Sequence, residues 1–224
     1  MIRWILLLIF VIVVEAYTFQ AIRAVTKLRW LLIAYQILSF AAIVYIAYSF
    51  TQFDRSVGQT RQTLFTLGLL LLIYIPKIVI TAFMLCEDIF RIIGGLMREF
   101  LGNSNESFLN DRRKFISQIA LGAAAVPFLS LLYGVTKGKY NFKVRKQTLY
   151  YPDLPEGFDG FTITQISDVH SGSFDNHHEI EHAISLINDQ KSDIILFTGD
   201  IVNTHATEMH PWIDTFNKIE NPKM

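Results

Sequence analysis

Two long stretches without a charged residue constrain this chain's fold more than any other feature. Residues 30–50 and 115–135 are almost wholly apolar, and a helix of about 20 such residues crosses the hydrocarbon core of a bilayer. Hydrocarbon offers the backbone no hydrogen-bond partner, so a spanning segment has to satisfy its own N–H and C=O groups as a helix. Both stretches therefore predict membrane helices.

Two further segments have the required length but carry a charge. One contains Pro76-Lys77 near its middle and the other contains Glu15. The first of the chain's segments could instead be a cleaved signal peptide, but no small-residue cleavage site precedes Arg23, which favours an uncleaved span. The sequence thus predicts a transmembrane region over residues 1–135 with about four helices, at 4–22, 30–50, 64–86 and 115–135.

Lys77 and Glu15 are the candidate functional charges of this region. An ionisable group at mid-membrane usually faces a partner or a water-filled cavity. The alternative is that Lys77 extends to the interface or its span is offset, and that Glu15 lies near an interface. We favour that alternative from the sequence. The several intramembrane polar groups of a transport pathway are also not evident.

The formal net charge of zero conceals two unlike halves. Residues 1–135 hold 12 Lys/Arg and 7 Asp/Glu, whereas residues 136–224 hold 8 and 13, together with all six histidines. This distribution predicts a basic-flanked membrane region followed by an acidic, histidine-containing soluble domain over 136–224. The single cysteine, Cys86, excludes an intramolecular disulfide and a cysteine-based zinc site.

Basic residues between the spans predict the orientation in the membrane. With the N-terminus outside, the outer segments hold three basic residues, and the inner loops hold Arg23, Lys27, Arg29, Arg91, Arg98, Arg112, Arg113 and Lys114. Counting the five basic residues after the last span gives a tie. The run Asp111-Arg112-Arg113-Lys114-Phe115-Ile116 also resembles a twin-arginine export signal. We therefore expect a multi-pass protein of the cell (inner) membrane with its C-terminal domain on the extracytoplasmic side.

The soluble half changes to the periodicity of an α/β domain. Residues 140–151 predict a strand near the membrane, and residues 161–166 predict another. Ile180, Ala183, Ile184 and Ile187 recur at helical spacing and predict a helix over 177–190. The apolar run 193–198 is typical of a buried strand. Strand, helix and strand in this order predict a βαβ unit with a parallel pair and a right-handed crossover.

Candidate metal ligands follow both strands of this unit. Asp168-Val169-His170 follows the first strand and Gly199-Asp200 follows the second. The carboxyl ends of neighbouring parallel strands share one crevice, and a continued extended backbone would point Asp168 and His170 the same way. Two carboxylates and a neutral imidazole suit Zn²⁺, Mn²⁺ or iron, and Gly199 permits a sharp turn before Asp200.

These residues also stand in a recognisable context. Ile166-Ser-Asp-Val-His-Ser-Gly172 and Phe197-Thr-Gly-Asp-Ile-Val-Asn203 resemble the first two sequence blocks of the calcineurin-like metallophosphoesterases. The upstream run Leu154-Pro-Glu-Gly-Phe-Asp-Gly160 resembles the lead-in of their membrane-anchored bacterial branch, related to YkuE and YaeI.

The resemblance implies an α/β/β/α sandwich and a membrane-anchored hydrolase of phosphate esters or anhydrides. It further implies that Asp168 and His170 bind a first divalent metal ion and that Asp200 bridges it to a second. The two ions (Mn, Zn or Fe) would polarise the phosphate and supply a metal-activated hydroxide. The substrate would be a phosphorylated small molecule or a lipid-linked compound, and no nucleic acid partner is expected.

The resemblance also indicates a chain that is cut after the second block. The family's later blocks, Gly-Asn-His and Gly-His-x-His, do not follow Asn203, so no catalytic residue is assigned within the chain and no turnover is expected. An apolar stripe from Trp212 to Ile219 predicts the next crossover helix, which Asn221-Pro222-Lys223 would end. The remaining histidines are interpreted as ordinary loop or helix residues: His177, His178, His182, His205 and His210.

Two other classes of function remain open at this stage. The chain could be a non-catalytic membrane or transport protein with a metal-binding tail, or the tail could be regulatory. Polar intramembrane groups acting with Lys77 would favour transport. The ordered Asp-x-His and Gly-Asp blocks favour the phosphoesterase.

Overall fold

The computed structural model describes residues 2–54, 60–101 and 109–220, with the side chains of 98–101 and 109–111 left aside. The chain forms two compact units. The membrane unit comprises Met1–Gln52 and Thr66–Thr136, and the α/β unit comprises Phe53–Phe65 and Lys137–Met224.

Four helices of the described chain are long and apolar enough to cross a membrane, which confirms the predicted architecture. They are α1 (Ile2–Val25), α2 (Arg29–Thr51), α3 (Arg61–Leu101) and α4 (Leu109–Thr136). With 41 residues, α3 extends well past the predicted 64–86, and a helix of that length is about 60 Å long. Pro76 and Pro127 lie inside α3 and α4 without ending them, as membrane helices tolerate.

Small residues of α1 and α4 pack with two larger residues of α3 in the membrane unit. Its buried core consists of Ala21, Ile80, Met84, Ala120 and Ala124, and alanine lets helix backbones approach closely in lipid. Large apolar side chains such as Leu38 and Phe40 are about 70% exposed. An exposed apolar surface of this kind is suited to contact with lipid chains rather than water.

A parallel strand pair forms the centre of the α/β unit, as predicted. β1 (Ile163–Ser167) pairs with β2 (Ile194–Thr198) in a register that runs from Ile163↔Ile194 to Ser167↔Thr198. Asp193 fixes the start of the pair, since its Oδ2 accepts hydrogen bonds from Thr162 N at 2.7 Å and Thr162 Oγ1 at 2.6 Å. These bonds hold the pKa of Asp193 below its usual range.

The connecting helix α5 (His177–Asn188) begins and packs as its sequence indicates. Asn176 is its N-cap and accepts a hydrogen bond from His178 N at 3.1 Å. Ile180 and Ile184 are buried, which places the predicted apolar stripe against the rest of the unit. The short helix α6 (Ile213–Phe216) lies beside α5, where Asn188 Nδ2 donates to Lys218 O at 2.9 Å.

Two predicted elements differ from the structure. Residues 140–151 form no strand: a 3₁₀ turn at Gly138–Tyr140 leads into irregular chain, whose described backbone hydrogen bonds are local. An alternating pattern becomes a strand only where a neighbour accepts its hydrogen bonds. The helix predicted around Trp212 is a 3₁₀ segment, Ala206–Trp212, followed by the four residues of α6, and Pro211 removes one helical N–H. The predicted stop at 221–223 lies outside the described residues.

The two intramembrane charges pair with each other, whereas the sequence favoured an extended Lys77 or an offset span, with Glu15 near an interface. Lys77 Nζ lies 2.6 Å from Glu15 Oε1, and Lys77 is 7% exposed. Each charge comes from a different helix, α3 and α1. A charge in hydrocarbon costs several kcal/mol unless it finds a partner, and the pair gives each charge that partner.

The helix α2 completes this polar cluster. Ser39 Oγ accepts a hydrogen bond from Lys77 Nζ at 2.6 Å and donates one to Glu15 Oε2 at 2.7 Å. Tyr35 OH donates to the same carboxylate oxygen at 3.1 Å, and Lys77 Nζ lies over the rings of Tyr35 and Tyr74. We name Glu15, Tyr35, Ser39, Tyr74 and Lys77 the intramembrane cluster. It joins three helices through charge-assisted contacts.

Replacing one member of the ion pair should destabilise the membrane unit. In Lys77→Met the Glu15 carboxylate loses its counter-charge, and we expect a loss of about 3 kcal/mol in the free energy of unfolding. The double variant Glu15→Gln/Lys77→Met removes both charges and should recover most of that loss. The temperature at which each variant aggregates in detergent, read by size-exclusion chromatography, compares their stabilities. Equal stability of Lys77→Met and the parent would contradict the importance of the pair.

Candidate metal centre

The sheet places the candidate ligands at one edge. Asp168 directly follows β1, and Asp200 lies two residues beyond β2. Two hydrogen bonds continue the pairing past the strand ends, from His170 N to Asp200 O at 3.0 Å and from Ser171 N to Ile201 O at 2.9 Å. The segments that carry the ligands are therefore fixed to each other by backbone contacts.

The backbone does not stay extended through the Asp-x-His segment, contrary to the expectation from the strand. Asp168 (φ 52°) and His170 (φ 46°) both adopt left-handed conformations. Such conformations cost about 1–3 kcal/mol at a non-glycine residue and concentrate at functional sites. The left-handed backbone at Asp168 and His170, rather than the alternation of side chains along a strand, therefore sets the directions of these two side chains.

Side-chain donors of Asp168, His170 and Asp200 lie within 4.8 Å of one another. Both carboxylates are exposed and the imidazole is half-buried, so the donors are open to an arriving ion. Two carboxylates and an imidazole at this separation fit a divalent transition metal such as Zn²⁺, Mn²⁺ or Fe²⁺. Ser167 Oγ donates a hydrogen bond to Asp168 Oδ2, which orients that carboxylate from behind.

Gly199 allows the two loops to approach. Its φ of +87° lies in the left-handed region, as the predicted turn requires. A Cβ at this position would lie 3.0 Å from Ser167 Oγ and 3.1 Å from both Asp168 N and Asp168 Oδ1. The glycine therefore serves the turn and also the close contact with a candidate ligand, which the sequence did not indicate.

A clamp holds the loop that follows His170. Asp175 Oδ2 accepts a hydrogen bond from Lys139 Nζ at 2.6 Å, and Asp175 Oδ1 accepts one from Tyr140 OH at 2.5 Å. Partial burial would raise the pKa of Asp175, but these bonds and the Lys139 charge outweigh it and lower that pKa. Burial, together with the bond to Asp175, raises the pKa of Tyr140. Asp175 therefore stays ionised and Tyr140 stays protonated at neutral pH, as the hydrogen bond between them requires.

Two of the other histidines have evident packing or capping contacts. The ring of His177 lies 4.2 Å from that of Trp212. His205 is the N-cap of the 3₁₀ segment Ala206–Trp212 and forms a capping box with Glu208. These contacts account for their positions without a metal ion.

Buried polar groups beside the ligands were missed by the sequence analysis. Ser171 Oγ and Asn203 Oδ1 are buried, and neither has a hydrogen-bond partner among the described groups. Glu208 was also missed, although the spacing His205-x-x-Glu208 resembles a capping box and could have indicated it.

Comparisons with known proteins match two regions of the chain. The sequence model of the family described as "Probable Calcineurin-like phosphoesterase, transmembrane domain" matches residues 2–139, and the model described as "Calcineurin-like phosphoesterase" matches residues 161–223. The second match includes both predicted sequence blocks. No solved structure matches the chain.

Two curated proteins are similar to parts of the chain. The "Uncharacterized metallophosphoesterase YkuE" of Bacillus subtilis (strain 168) is 33% identical over 103 residues, which is 44% of this chain and 36% of that protein. The "Transmembrane protein with metallophosphoesterase domain" of Danio rerio is 22% identical over 78 residues, 35% of this chain and 18% of that protein. The chain thus spans about a third or less of the relatives that it matches.

Alanine at position 199 should disturb the site more than it disturbs the fold. Gly199→Ala forces a Cβ into the left-handed region at a cost of about 1–2 kcal/mol and pushes on Ser167 and Asp168. We expect a drop of that size in chemical stability and weaker binding of Mn²⁺ in calorimetry. Gly160→Ala is the matched control, because Gly160 is also left-handed (φ +76°) but has nothing within 4 Å of its Cβ position. Equal Mn²⁺ affinity in both variants would show that the close contact is unimportant.

Proposed function

Because the chain belongs to the calcineurin-like phosphoesterases with a four-helix transmembrane domain, we propose that it acts as a membrane-anchored, metal-dependent hydrolase of phosphate esters or anhydrides. The observation that carries this proposal is the convergence of Asp168, His170 and Asp200 on one edge of the sheet. Calcineurin-like phosphoesterases use divalent metals, and these donors are of the type that such metals bind.

Each residue has a distinct task in the proposal. Asp168 and His170 would hold a first metal ion, and Asp200 would be shared between it and a second, the ions being Mn, Zn or Fe. When bound, such ions supply Lewis-acid polarisation of the phosphate and activation of a water molecule. Ser167 orients the Asp168 carboxylate through its hydrogen bond. Exposure of both carboxylates leaves room for a phosphate group to approach.

The membrane helices support a substrate located at the membrane surface, and the charges around them bear on which side the α/β unit faces. We propose that the substrate is a phosphorylated small molecule or a lipid-linked compound, and that the α/β unit lies outside the cytoplasm of an inner-membrane protein. Basic residues between the spans favour that side, the five after the last span bring the count to a tie, and the twin-arginine-like run at residues 111–116 favours the same side.

The intramembrane cluster is the observation that bears on the alternative function, a transport protein. Its charges are bonded to each other and to Ser39 and Tyr35. A closed set of mutual bonds is suited to helix association rather than to the passage of a solute. The cluster therefore favours an anchor over a pathway.

Removal of the bridging carboxylate tests the proposed chemistry. The protein in its full length should hydrolyse bis(p-nitrophenyl) phosphate, and EDTA should stop it. Asp200→Asn should reduce this activity to the EDTA level, because an amide is a weaker, neutral ligand. Asp214→Asn is the control, since Asp214 is an exposed carboxylate on α6. Full activity of Asp200→Asn would remove the bridging assignment, and no hydrolysis by metal-loaded, folded parent would remove the proposed function.

Thiol labelling tests the proposed orientation. In a Cys86→Ser background, a cysteine at Asp153 should react with a membrane-impermeant maleimide in spheroplasts. A cysteine at Lys27, in the predicted inner connection between α1 and α2, should react only after permeabilisation. Both positions are exposed in the structure. The reverse labelling pattern would place the α/β unit in the cytoplasm.

A further inference from the structure

The loops that follow the two ligand-bearing strands meet at one side chain, Glu208. The first loop continues from His170 into a 3₁₀ turn at Ser171–Ser173. The second continues from Asp200 through Asn203 to the N-cap His205. These loops carry the candidate ligands, so whatever joins them also fixes the distance between those ligands.

Glu208 binds the second loop through three consecutive N–H groups. Its Oε2 accepts from Asn203 N at 2.6 Å and from Thr204 N at 3.3 Å, and its Oε1 accepts from His205 N at 3.3 Å. A carboxylate that accepts several backbone N–H groups forms charge-assisted bonds, which are stronger than neutral ones. The backbone of residues 203–205, three to five positions after Asp200, therefore donates all three of these bonds to one carboxylate.

The same carboxylate packs against the first loop at Gly172. A Cβ built on Gly172 would overlap Glu208 Oε2 and lie 2.7 Å from Glu208 Cδ. A real Cβ does not approach that closely, so the carboxylate occupies space that only glycine leaves open. Asn203 adds a second link between the loops, since its Nδ2 donates to Ser173 Oγ at 2.9 Å.

A capping box alone accounts for only part of this geometry. In a capping box the Glu side chain bonds the N–H of the N-cap residue, which here is His205. The shortest bond instead goes to Asn203, two residues before the cap, and the contact with Gly172 lies on the other loop. Glu208 therefore reaches beyond the segment that it caps.

We propose that Glu208 is a positioning residue that latches the loop after His170 to the loop after Asp200 and so sets the metal-binding geometry. The inference rests on the proposed metal centre. Groups behind the ligands commonly change metal affinity by about 10- to 100-fold when they are removed. Glu208 itself need not touch the ion, because it acts through the backbone of both loops.

Binding of Co²⁺ tests the latch directly, because the visible absorption of bound Co²⁺ reports ligand geometry per bound ion. The probe is Co²⁺ alone, titrated into the purified whole chain in detergent, with affinity measured by calorimetry. Glu208→Ala should weaken binding about 10- to 100-fold and change the absorption spectrum at saturation. Glu208→Gln retains one carbonyl acceptor and should recover part of the affinity and the parental spectrum.

Three further variants separate the latch from simpler explanations. Glu181→Gln removes a carboxylate from an exposed salt bridge with Lys218 and should bind Co²⁺ as the parent does. His205→Ala removes the other half of the capping box and should also retain affinity. Gly172→Ala should weaken binding as Glu208→Ala does, because its Cβ displaces the carboxylate. The double variant Gly172→Ala/Glu208→Ala should be little worse than either single variant, since both act mainly on the contact of Gly172 with Glu208. The Cβ position of Gly172 also lies 3.2 Å from Asn203 Cγ, so a larger loss in the double variant would trace to Asn203.

The outcomes distinguish the latch from the function on which it rests. A parent that binds no Co²⁺ overturns the proposed metal centre, and the latch with it. A parent that binds, with Glu208→Ala equal in affinity and spectrum, overturns the latch alone. Equal weakening by His205→Ala would likewise overturn it in favour of a plain helix cap. If Glu208→Ala does not fold, Glu208→Gln and Gly172→Ala decide by the same comparison, with parental affinity in both counting against the latch.

Discussion

The parallel pairing of β1 with β2 is the contact on which the candidate site depends. Two strands of five residues run in register, and hydrogen bonds from His170 and Ser171 to Asp200 and Ile201 extend the pairing past their ends. Parallel strands present their carboxyl ends at the same edge. Asp168 and Asp200, separated in sequence by the whole of α5, thereby come within a few ångströms of each other.

The site combines this regular pairing with strained backbone. Asp168 and His170 are left-handed at the point where the first strand ends. Backbone strain of that kind persists only where the surrounding structure determines the conformation. Here the N–H groups of His170 and Ser171 donate hydrogen bonds to the loop after β2. Ser167 Oγ donates one to the Asp168 carboxylate. The clamp of Asp175 with Lys139 and Tyr140 holds the following loop. Candidate donors held by the backbone in this way would cost less to order on binding an ion.

In the membrane unit, polar contacts rather than buried apolar area determine which positions of the helices face each other. In lipid, apolar helix faces pack against acyl chains nearly as well as against each other, so they give little preference for one helix register. The bonds among Glu15, Ser39 and Lys77 join α1, α2 and α3 at defined positions. The small core residues Ala21, Ala120 and Ala124 then permit α1 and α4 to approach closely.

The amino-acid sequence by itself determined the four membrane helices, the parallel βαβ order and the residues at the ends of its strands. Each of these follows from local rules, namely hydrocarbon's lack of hydrogen-bond partners, side-chain periodicity and the chemistry of glycine and aspartate. Only the tertiary structure decided that Glu15 and Lys77 pair, that residues 140–151 form no strand, and that Glu208 lies against Gly172. In each case the outcome depends on which groups meet across long sequence separations, and local patterns carry no information about that meeting.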